Sequence, residues 1–482
     1  MTDRLDSIRS TLHAHGQEHV LAFFNQLQPA QQQSLLSQIS QIDFAMLDRL
    51  IDAYVRRKPD IELPKNLRPA PYYPIDADGS PQFDHAARYR GIGEDLIRAG
   101  KIAAFTVAGG QGTRLGWDGP KGTYPATVVT GKPLFRIFAE QILATQRKYS
   151  RGGKPPVIPW YIMTSPINDA DTRAFFADNN YFGLKRNDVF FFPQGVIPSI
   201  DAATGKLLLA EKDEIAVNPD GHGGSIKALR QSAAIDDMIA RGVEHISYFQ
   251  VDNPLVKCID PLFIGLHAAA PDSSAEFSSK MVPKVSADEK VGVFCQADGK
   301  TLVIEYSDLP AELSQQKDEH GRLRFIAGNI AVHLLSVAFV SRLTADAKHF
   351  ALPYHRADKK VPFIDPATGR RIEPAQPNAV KLEAFVFDAI PLAKSSIVLQ
   401  TSRVEEFAPI KNAHGVDSAA TSHQLQSDRY GQWLAKCGVQ VPRRDGHVDA
   451  KIEINPLTAL DAEDLCRIQL PSAIAPQQEL VL

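Results

Sequence analysis

The chain has 482 residues, of which 44% are hydrophobic and 23% charged, with a net charge of −3. That is ample for a large buried core spread over two or three domains. Nothing in this mildly acidic balance marks a nucleic-acid binder or a membrane-surface protein, and no window approaches the apolar length of a membrane span.

Residues from Asp3 to Arg57 are predicted to be helical. Apolar residues recur at helical spacing: Leu21, Phe24 and Leu27, then Leu35, Leu36, Ile39 and Ile42, then Leu47, Leu50 and Ile51. Several short helices suit this pattern better than one long one, and Pro29 suits a helix start. Lys58–Pro81 follows, with Pro59, Pro64, Pro69, Pro71, Pro74 and Pro81, and reads as an extended connector. Residues 1–97 are therefore expected to form a helical N-terminal region plus connector.

The middle of the chain alternates short apolar runs with helical stretches. Expected strands are Ile102–Ala108, Val157–Thr164, Val189–Phe192, His245–Val251, Val291–Gln296 and Leu302–Tyr306. Expected helices are Leu134–Tyr149, Asp169–Asn179 and Ser225–Arg241. The alternation implies an α/β domain over residues 98–400, with a mostly parallel sheet covered by helices. Ligands of such sheets bind at the carboxyl ends of strands, so a genuine motif should follow a strand directly. Residues 401–482 are expected to form a small β-rich C-terminal domain. In it Asp417–Ser427 reads as a polar, mobile loop and Val448–Ile454 as an edge strand. The four cysteines, Cys258, Cys295, Cys437 and Cys466, are too dispersed for a disulfide framework and contain no CxxC pair. A reducing compartment fits them. The N-terminus lacks the apolar core of a signal peptide, so a soluble, cytoplasmic protein is expected.

The most informative segment is Val107-Ala-Gly-Gly-Gln-Gly-Thr-Arg-Leu-Gly-Trp-Asp-Gly-Pro-Lys121, directly after the run Ile102–Ala108. Glycines let successive amides approach phosphate oxygens, while Arg114 and Lys121 add fixed positive charge. The spacing is neither that of a P-loop nor that of the dinucleotide fingerprint, since from Gly110 it runs G-x-G-x-x-x-G. A structural glycine turn is the competing reading, and the Arg and Pro-Lys after a strand weigh against it.

This segment resembles the signature of the eukaryotic-type UDP-sugar pyrophosphorylases, especially the UDP-N-acetylhexosamine pyrophosphorylases, which runs G-G-Q-G-T-R-L-G…P-K-G. The resemblance extends along nearly the whole chain. It includes Gly16-Gln-Glu-His-Val-Leu-Ala-Phe-Phe-Asn25, Ile158-Pro-Trp-Tyr-Ile-Met-Thr-Ser165, Pro219-Asp-Gly-His-Gly-Gly224 and Val251-Asp-Asn253. It continues in Ala327-Gly-Asn-Ile330, Phe385-Val-Phe-Asp388 and Ile410-Lys-Asn412. It implies a central mixed, mostly parallel Rossmann-like sheet of the GT-A-like nucleotidyltransferase type.

By this resemblance, Gly109, Gly110, Gln111, Gly112 and Thr113 cradle UTP, with Gln194 reading the base and Gly221 and His222 closing the uridine site. Arg114, Lys121, Lys381 and Lys411 are the catalytic cations. Gly292, Glu305, Asn329, Phe385 and Phe387 hold the sugar. Asp252 contacts the metal, a magnesium ion (Mg2+, or Mn2+). Taken singly, several of these residues have plainer readings: Asp252 and Asn253 as a turn, Gln194 as a surface glutamine, Glu305 as an edge-strand residue, Phe385 and Phe387 as one face of a strand. His333, in an apolar segment, reads as a core residue.

The implied reaction joins UTP and a sugar 1-phosphate into UDP-sugar and pyrophosphate, with N-acetylglucosamine 1-phosphate (or N-acetylgalactosamine 1-phosphate) as the expected acceptor. One residue departs from the pattern. His222 stands where N-acetylhexosamine enzymes usually carry Asn, and Gly-His-Gly is closer to UDP-glucose pyrophosphorylases. A UDP-glucose or broad-specificity enzyme is therefore the alternative, and a non-catalytic nucleotide-binding protein a more distant one. No nucleic-acid or membrane partner is expected, and the chain is expected to act as a monomer or weak homo-oligomer.

Overall fold

The structure is a computed structural model and describes residues 2–57, 63–76, 79–346 and 350–482. Part of the expected proline-rich connector, at 58–62 and 77–78, lies outside the described residues. The chain divides into two compact units. Unit one comprises Met1–Leu63, Gly195–Gly224 and Leu352–Phe385, and unit two comprises Pro64–Gln194, Ser225–Ala351 and Val386–Leu482. This division does not follow the boundaries at 98 and 401 read from the sequence. The N-terminal helices share a core with two later insertions, and residues 401–482 belong to the sheet-bearing unit.

In unit one the N-terminal region folds as several short helices: α1 (Thr2–Ala14), α2 (Pro29–Ser40) and α3 (Phe44–Leu50), the last running into a π-helical turn at Ile51–Arg56. Pro29 is the first residue of α2, where its missing N–H has no partner to lose. Asp43 caps α3 by accepting from Met46 N at 2.9 Å. The periodic residues Leu35, Leu36, Ile39 and Leu47 are buried in one core with Ile197, Ile200, Val380 and Leu382. The last four come from a three-stranded antiparallel sheet and its approach, in which Ala379–Ala384 pairs with Tyr354–Lys359 and with Ile200–Asp201.

Unit two is built on a ten-stranded sheet. Its strands are β1 (Arg68–Pro69), β2 (Ile102–Val107), β3 (Trp160–Thr164), β4 (Val189–Pro193), β5 (His245–Gln250), β6 (Phe277–Pro283), β7 (Val293–Ala297), β8 (Lys300–Ile304), β9 (Ala327–Ser336) and β10 (Val398–Gln400). The main path runs β1-β7-β9-β5-β2-β3-β4. Strands β5, β2, β3 and β4 are parallel, as expected from the helices that connect them. These are α5 (Leu134–Lys148) between β2 and β3 and α6 (Asp169–Asp178) between β3 and β4; α4 (Ala86–Arg98) precedes β2. Beyond β5 the sheet turns antiparallel. β9 runs against β5, β6 and β7, and β7 turns straight back into β8. Asp298 and Gly299 both adopt positive φ at that turn, the geometry a two-residue hairpin needs. The sheet is thus mixed, with its parallel character confined to one half.

Two expected elements come out differently. The helix expected over Ser225–Arg241 is two helices, α7 (Gly224–Gln231) and α8 (Ala234–Ala240), because Ala233 takes a left-handed φ of 61°. The expected loop Asp417–Ser427 is largely the start of α10 (Ala419–Lys436), which Ser418 caps by accepting from Thr421 N. Its polar residues are buried against the rest of unit two: Gln426 donates to Ala126 O at 2.8 Å, and Ser422 to Ala408 O at 2.7 Å. The C-terminal segment is accordingly less β-rich than expected, with α10 as its main element. Strands occur at His447–Val448 and Lys451–Glu453, overlapping the expected edge strand Val448–Ile454. Its own core gathers Trp433, Leu434, Ile452, Ile454 and Leu465. Cys437 and Cys466 are joined in a disulfide, contrary to the reading that the cysteines lie too far apart. They lie 29 residues apart, but two helix ends bring their Cα atoms to 5.0 Å. Cys258 and Cys295 are free and buried.

Candidate active site

The parallel half of the sheet delivers three segments to the carboxyl ends of its strands. The glycine-rich loop follows β2, Gln194 follows β4, and Asp252 follows β5. This is where an open α/β sheet leaves room for a ligand.

The loop leaves β2 and folds on itself. Lys121 N donates to Gly110 O at 3.0 Å, and Gly112 N to Gly119 O at 2.9 Å. Thr113 and Arg114 lie exposed on a short 3-10 turn, and Gln111 is half-buried. The glycines are required by close approaches at two places. A Cβ on Gly109 would lie 2.8 Å from Gln194 Oε1, and one on Gly112 would strike Trp117. Gly109 and Gln194, read from the sequence as cradle and base reader, are therefore in contact. Across the adjoining strand end, Lys121 Nζ lies 3.9 Å from Asp252 Oδ2, each side chain under 20% exposed. Separated at this distance without a hydrogen bond, both remain able to engage a third, charged group.

Two residues that sequence reasoning missed fix this arrangement. Asn168 is fully buried between β3 and α6. Its amide donates to Ala108 O at 3.0 Å and Gly110 O at 3.3 Å, and its Oδ1 accepts from Ser165 N at 2.8 Å. It pins two loop carbonyls inward, which turns the intervening amides away from the core. Its position just after a strand was a usable signal. Asn253 plays the corresponding part for Asp252. It donates to Glu406 O at 2.6 Å and accepts from Ala408 N at 3.1 Å, while Ile410 N donates to Asp252 O at 2.8 Å. Lys411, next along, is thereby placed beside the Asp252 turn. Its ammonium lies 3.5 Å from Asp417 Oδ2 and over the Phe407 ring.

The expected sugar residues divide between the units. In unit two, Gly292, Glu305 and Asn329 meet. Asn329 N donates to Gly292 O at 2.8 Å, and a Cβ on Gly292 would lie 2.9 Å from Glu305 Oε1. Phe387 is buried on a 3-10 helix, Val386–Leu392, and not on an extended run. The 3-10 geometry removes the shared strand face expected for Phe385 and Phe387.

In unit one, Gly221 and Gly223 let the Pro219–Gly224 turn lie on the end of the strand Ala379–Ala384. Gly223 N donates to Ala384 O and Ala384 N to Asp220 O, both at 2.8 Å, and a Cβ on either glycine would strike this backbone. The Asp220 carboxylate, also missed from sequence, lies against Gly195 and Gly224, where a Cβ would sit within 2.3 Å of it. It sits at the start of α7, where a carboxylate faces the first amides of the helix. His222 stacks on Phe385 with ring centroids 5.2 Å apart, and His355 stacks on Phe385 at 4.3 Å. Burial, reinforced by the neighbouring His355, lowers the His222 pKa to about 4, so its imidazole is neutral at pH 7. Lys381, on the same strand, is paired with Glu383 at 2.9 Å.

Among the described residues no cluster of three His, Cys, Asp or Glu side chains could hold a metal ion. A single strand-end carboxylate, Asp252, fits a magnesium ion whose other ligands are phosphate oxygens and waters, and does not fit a caged structural metal.

Comparison with known proteins agrees with this geometry. The family described as UTP–glucose-1-phosphate uridylyltransferase matches residues 81–432. The UDP-N-acetylhexosamine pyrophosphorylase-like protein 1 of Xenopus tropicalis is 35% identical over 490 residues, covering 95% of this chain and 93% of the relative. The UDP-N-acetylglucosamine pyrophosphorylase of Saccharomyces cerevisiae is 37% identical, covering 79% of this chain and 78% of the relative. The crystal structure of the Trypanosoma brucei UDP-N-acetylglucosamine pyrophosphorylase, in complex with an inhibitor, superposes with a TM-score of 0.79 at 27% identity and 98% coverage of both chains. The family match over most of the chain and the relatives at 35% and 37% identity show that this chain belongs to the UTP–glucose-1-phosphate uridylyltransferase family.

Proposed function

We propose that this protein is a nucleotidyltransferase that moves UMP from UTP onto N-acetylglucosamine 1-phosphate, or N-acetylgalactosamine 1-phosphate, releasing pyrophosphate. The observation that carries the proposal is the convergence of the Gly109–Lys121 loop, Gln194 and Asp252 at the ends of three parallel strands, with Lys121 and Asp252 3.9 Å apart. The names of the relatives at 35% and 37% identity support the acetamido sugar.

The acceptor phosphate is already ionised at neutral pH, so attack on the α-phosphorus needs no general base. Catalysis then consists of positioning and charge neutralisation. The Gly109–Thr113 amides bind phosphate oxygens, Gln194 orients the uracil edge, and Arg114 and Lys121 offset the charge on the triphosphate and the departing pyrophosphate. Lys411 attracts the sugar phosphate. Gly292, Glu305 and Asn329 bind sugar hydroxyls, with Phe387 toward the acetamido group. Asp252 would hold a Mg2+ or Mn2+ ion, which when bound would supply positive charge to offset the charge of the phosphates. Because one phosphoanhydride replaces another, the reaction is readily reversible.

Among the described residues no helix is long and apolar enough to cross a membrane. The proposal includes a cytoplasmic setting and a monomer or weak homo-oligomer, on the strength of composition.

The experiment is a comparison of pyrophosphate release from UTP with the 1-phosphates of N-acetylglucosamine, N-acetylgalactosamine and glucose. Fastest turnover with an acetamido sugar is expected. Preference for glucose 1-phosphate would favour the alternative that His222 raises, and no release with any acceptor would remove the enzymatic reading.

A further inference from the structure

Unit two contains a cavity of about 240 Å³ that the glycine-rich loop does not line. Its walls come from α4, α5, the start of α9 (Pro261–Ala269), the segment 399–406, α10 and residues 454–467. None of the loop, base or sugar residues discussed above lines it.

Its hydrogen-bond balance is one-sided. Arg429, on α10, is 95% buried, at 5% exposure. Its guanidinium lies 4.5 Å above the Trp433 ring, which faces the same cavity. A guanidinium carries five N–H donors. Here the contacts are one bond from Nη1 to Leu255 O at 3.4 Å and an ion pair with Glu405 at 3.7 Å, beyond hydrogen-bond length. Nε is buried with no hydrogen-bond partner. Lys257 also lines the cavity. Its contact is Glu406 Oε1 at 3.8 Å, which leaves its three donors without a hydrogen bond.

Of the acidic groups of the wall, Glu463 is exposed to solvent, while the other five are already engaged. Glu405 accepts from Trp433 Nε1 at 2.9 Å. Glu406 and Asp260 take the ammonium of the fully buried Lys280 at 2.6 Å each. Asp461 takes Lys148 at 2.7 Å, and Glu94 takes Arg98 at 2.8 Å. Buried donors left unpaired are costly, and native interiors satisfy them with water or a ligand. The unused groups here are cationic donors, one of them a planar fork suited to a carboxylate or phosphate.

We infer that this cavity is a binding site for a small oxyanion, a phosphate or carboxylate compound held by Arg429 and Lys257. It is separate from the nucleotide cradle. Its wall joins the Asp252 turn through the bond from Asn253 to Glu406 O.

The test is calorimetric titration of the full chain with inorganic phosphate and, separately, with citrate, which distinguishes phosphate from carboxylate. Saturable one-site binding of at least one probe is expected, retained in Arg114→Ala, where the nucleotide cradle is impaired. Loss of a charge-assisted hydrogen bond should weaken it about tenfold in Lys257→Gln, and more in Arg429→Gln. Lys257 is a third exposed, so its variant should fold even if loss of the buried Arg429 charge unfolds the other. Absence of saturable binding, binding indifferent to Lys257→Gln, or binding abolished by Arg114→Ala would overturn the inference.

Discussion

Replacing Asn168 with Leu removes the amide that holds the glycine loop while keeping a side chain of similar size. The structure allows the effect to be worked out group by group. Ser165 N loses its 2.8 Å acceptor and Ala108 O its 3.0 Å donor, whereas Gly110 O keeps its bond from Lys121 N. Two buried backbone groups are thus left unpaired, at about 1–3 kcal/mol each, so stability should fall by about 2–6 kcal/mol. A displacement of ~1 Å in a positioned group can lower turnover about a hundredfold, so kcat/KM for UTP should fall by one to two orders of magnitude. The KM for the sugar 1-phosphate should change less, because Gly292, Glu305 and Asn329 lie on other strands. Urea unfolding gives the first quantity and initial-rate kinetics the second. Asn168→Asp retains the acceptor for Ser165 N but sets a carboxylate against two carbonyls, and should be no better than Leu. If Asn168→Leu unfolded within about 0.5 kcal/mol of the parent, the range of ordinary surface changes, and used UTP normally, the reasoning would be refuted.

Three further outcomes are expected. Arg114→Ala should lower kcat at least about a hundredfold, the scale of losing one fixed electrostatic donor, with the fold intact because Arg114 is exposed; near-normal turnover would take Arg114 out of the mechanism. His222 has its folded pKa depressed to about 4, below the 6.5 of the unfolded state. The unfolded chain therefore binds the proton first, so this residue's contribution to stability should be constant above pH 6.5 and decline as pH falls from 6.5 toward 4. Comparing His222→Asn with the parent in pH-dependent denaturation checks this, and parallel curves would contradict it. Breaking the Cys437–Cys466 link, with 29 residues of separation, should lower stability by at most about 3–4 kcal/mol in a chain-entropy account. Comparing the oxidised parent with the reduced parent and with the Cys437→Ser, Cys466→Ser double variant measures it, and identical melting of oxidised and reduced chains would contradict it.

The parallel half of the sheet was legible in the sequence because its strands are continuous apolar runs, buried on both faces, separated by periodic helices. Glycine-rich and acidic segments following those runs then mark the ligand edge. The antiparallel half was less legible, since hairpin partners such as β7 and β8 leave the same short apolar signature as parallel strands. Tertiary burial hid α10: Ser422, Gln426 and Asp428 look like loop residues, yet their side chains bond into unit two. The break at Ala233 had no local signal, because alanine is a strong helix former and only the surrounding packing holds it at positive φ. Within the site, charged and glycine residues stood out by type. Asn168, Asn253 and Asp220 did not stand out by type, because their part is to hold backbone; only the place of Asn168 shortly after a strand pointed to it.

The central claim is transfer of the α-phosphoryl group of UTP to a sugar 1-phosphate. It is tested most directly by incubating the protein, magnesium and N-acetylglucosamine 1-phosphate with UTP labelled at the α-phosphorus. The account predicts that the label appears in UDP-N-acetylglucosamine, with unlabelled pyrophosphate formed in equal amount. Label that stays in UTP, or is released as UMP without entering a UDP-sugar, would contradict it.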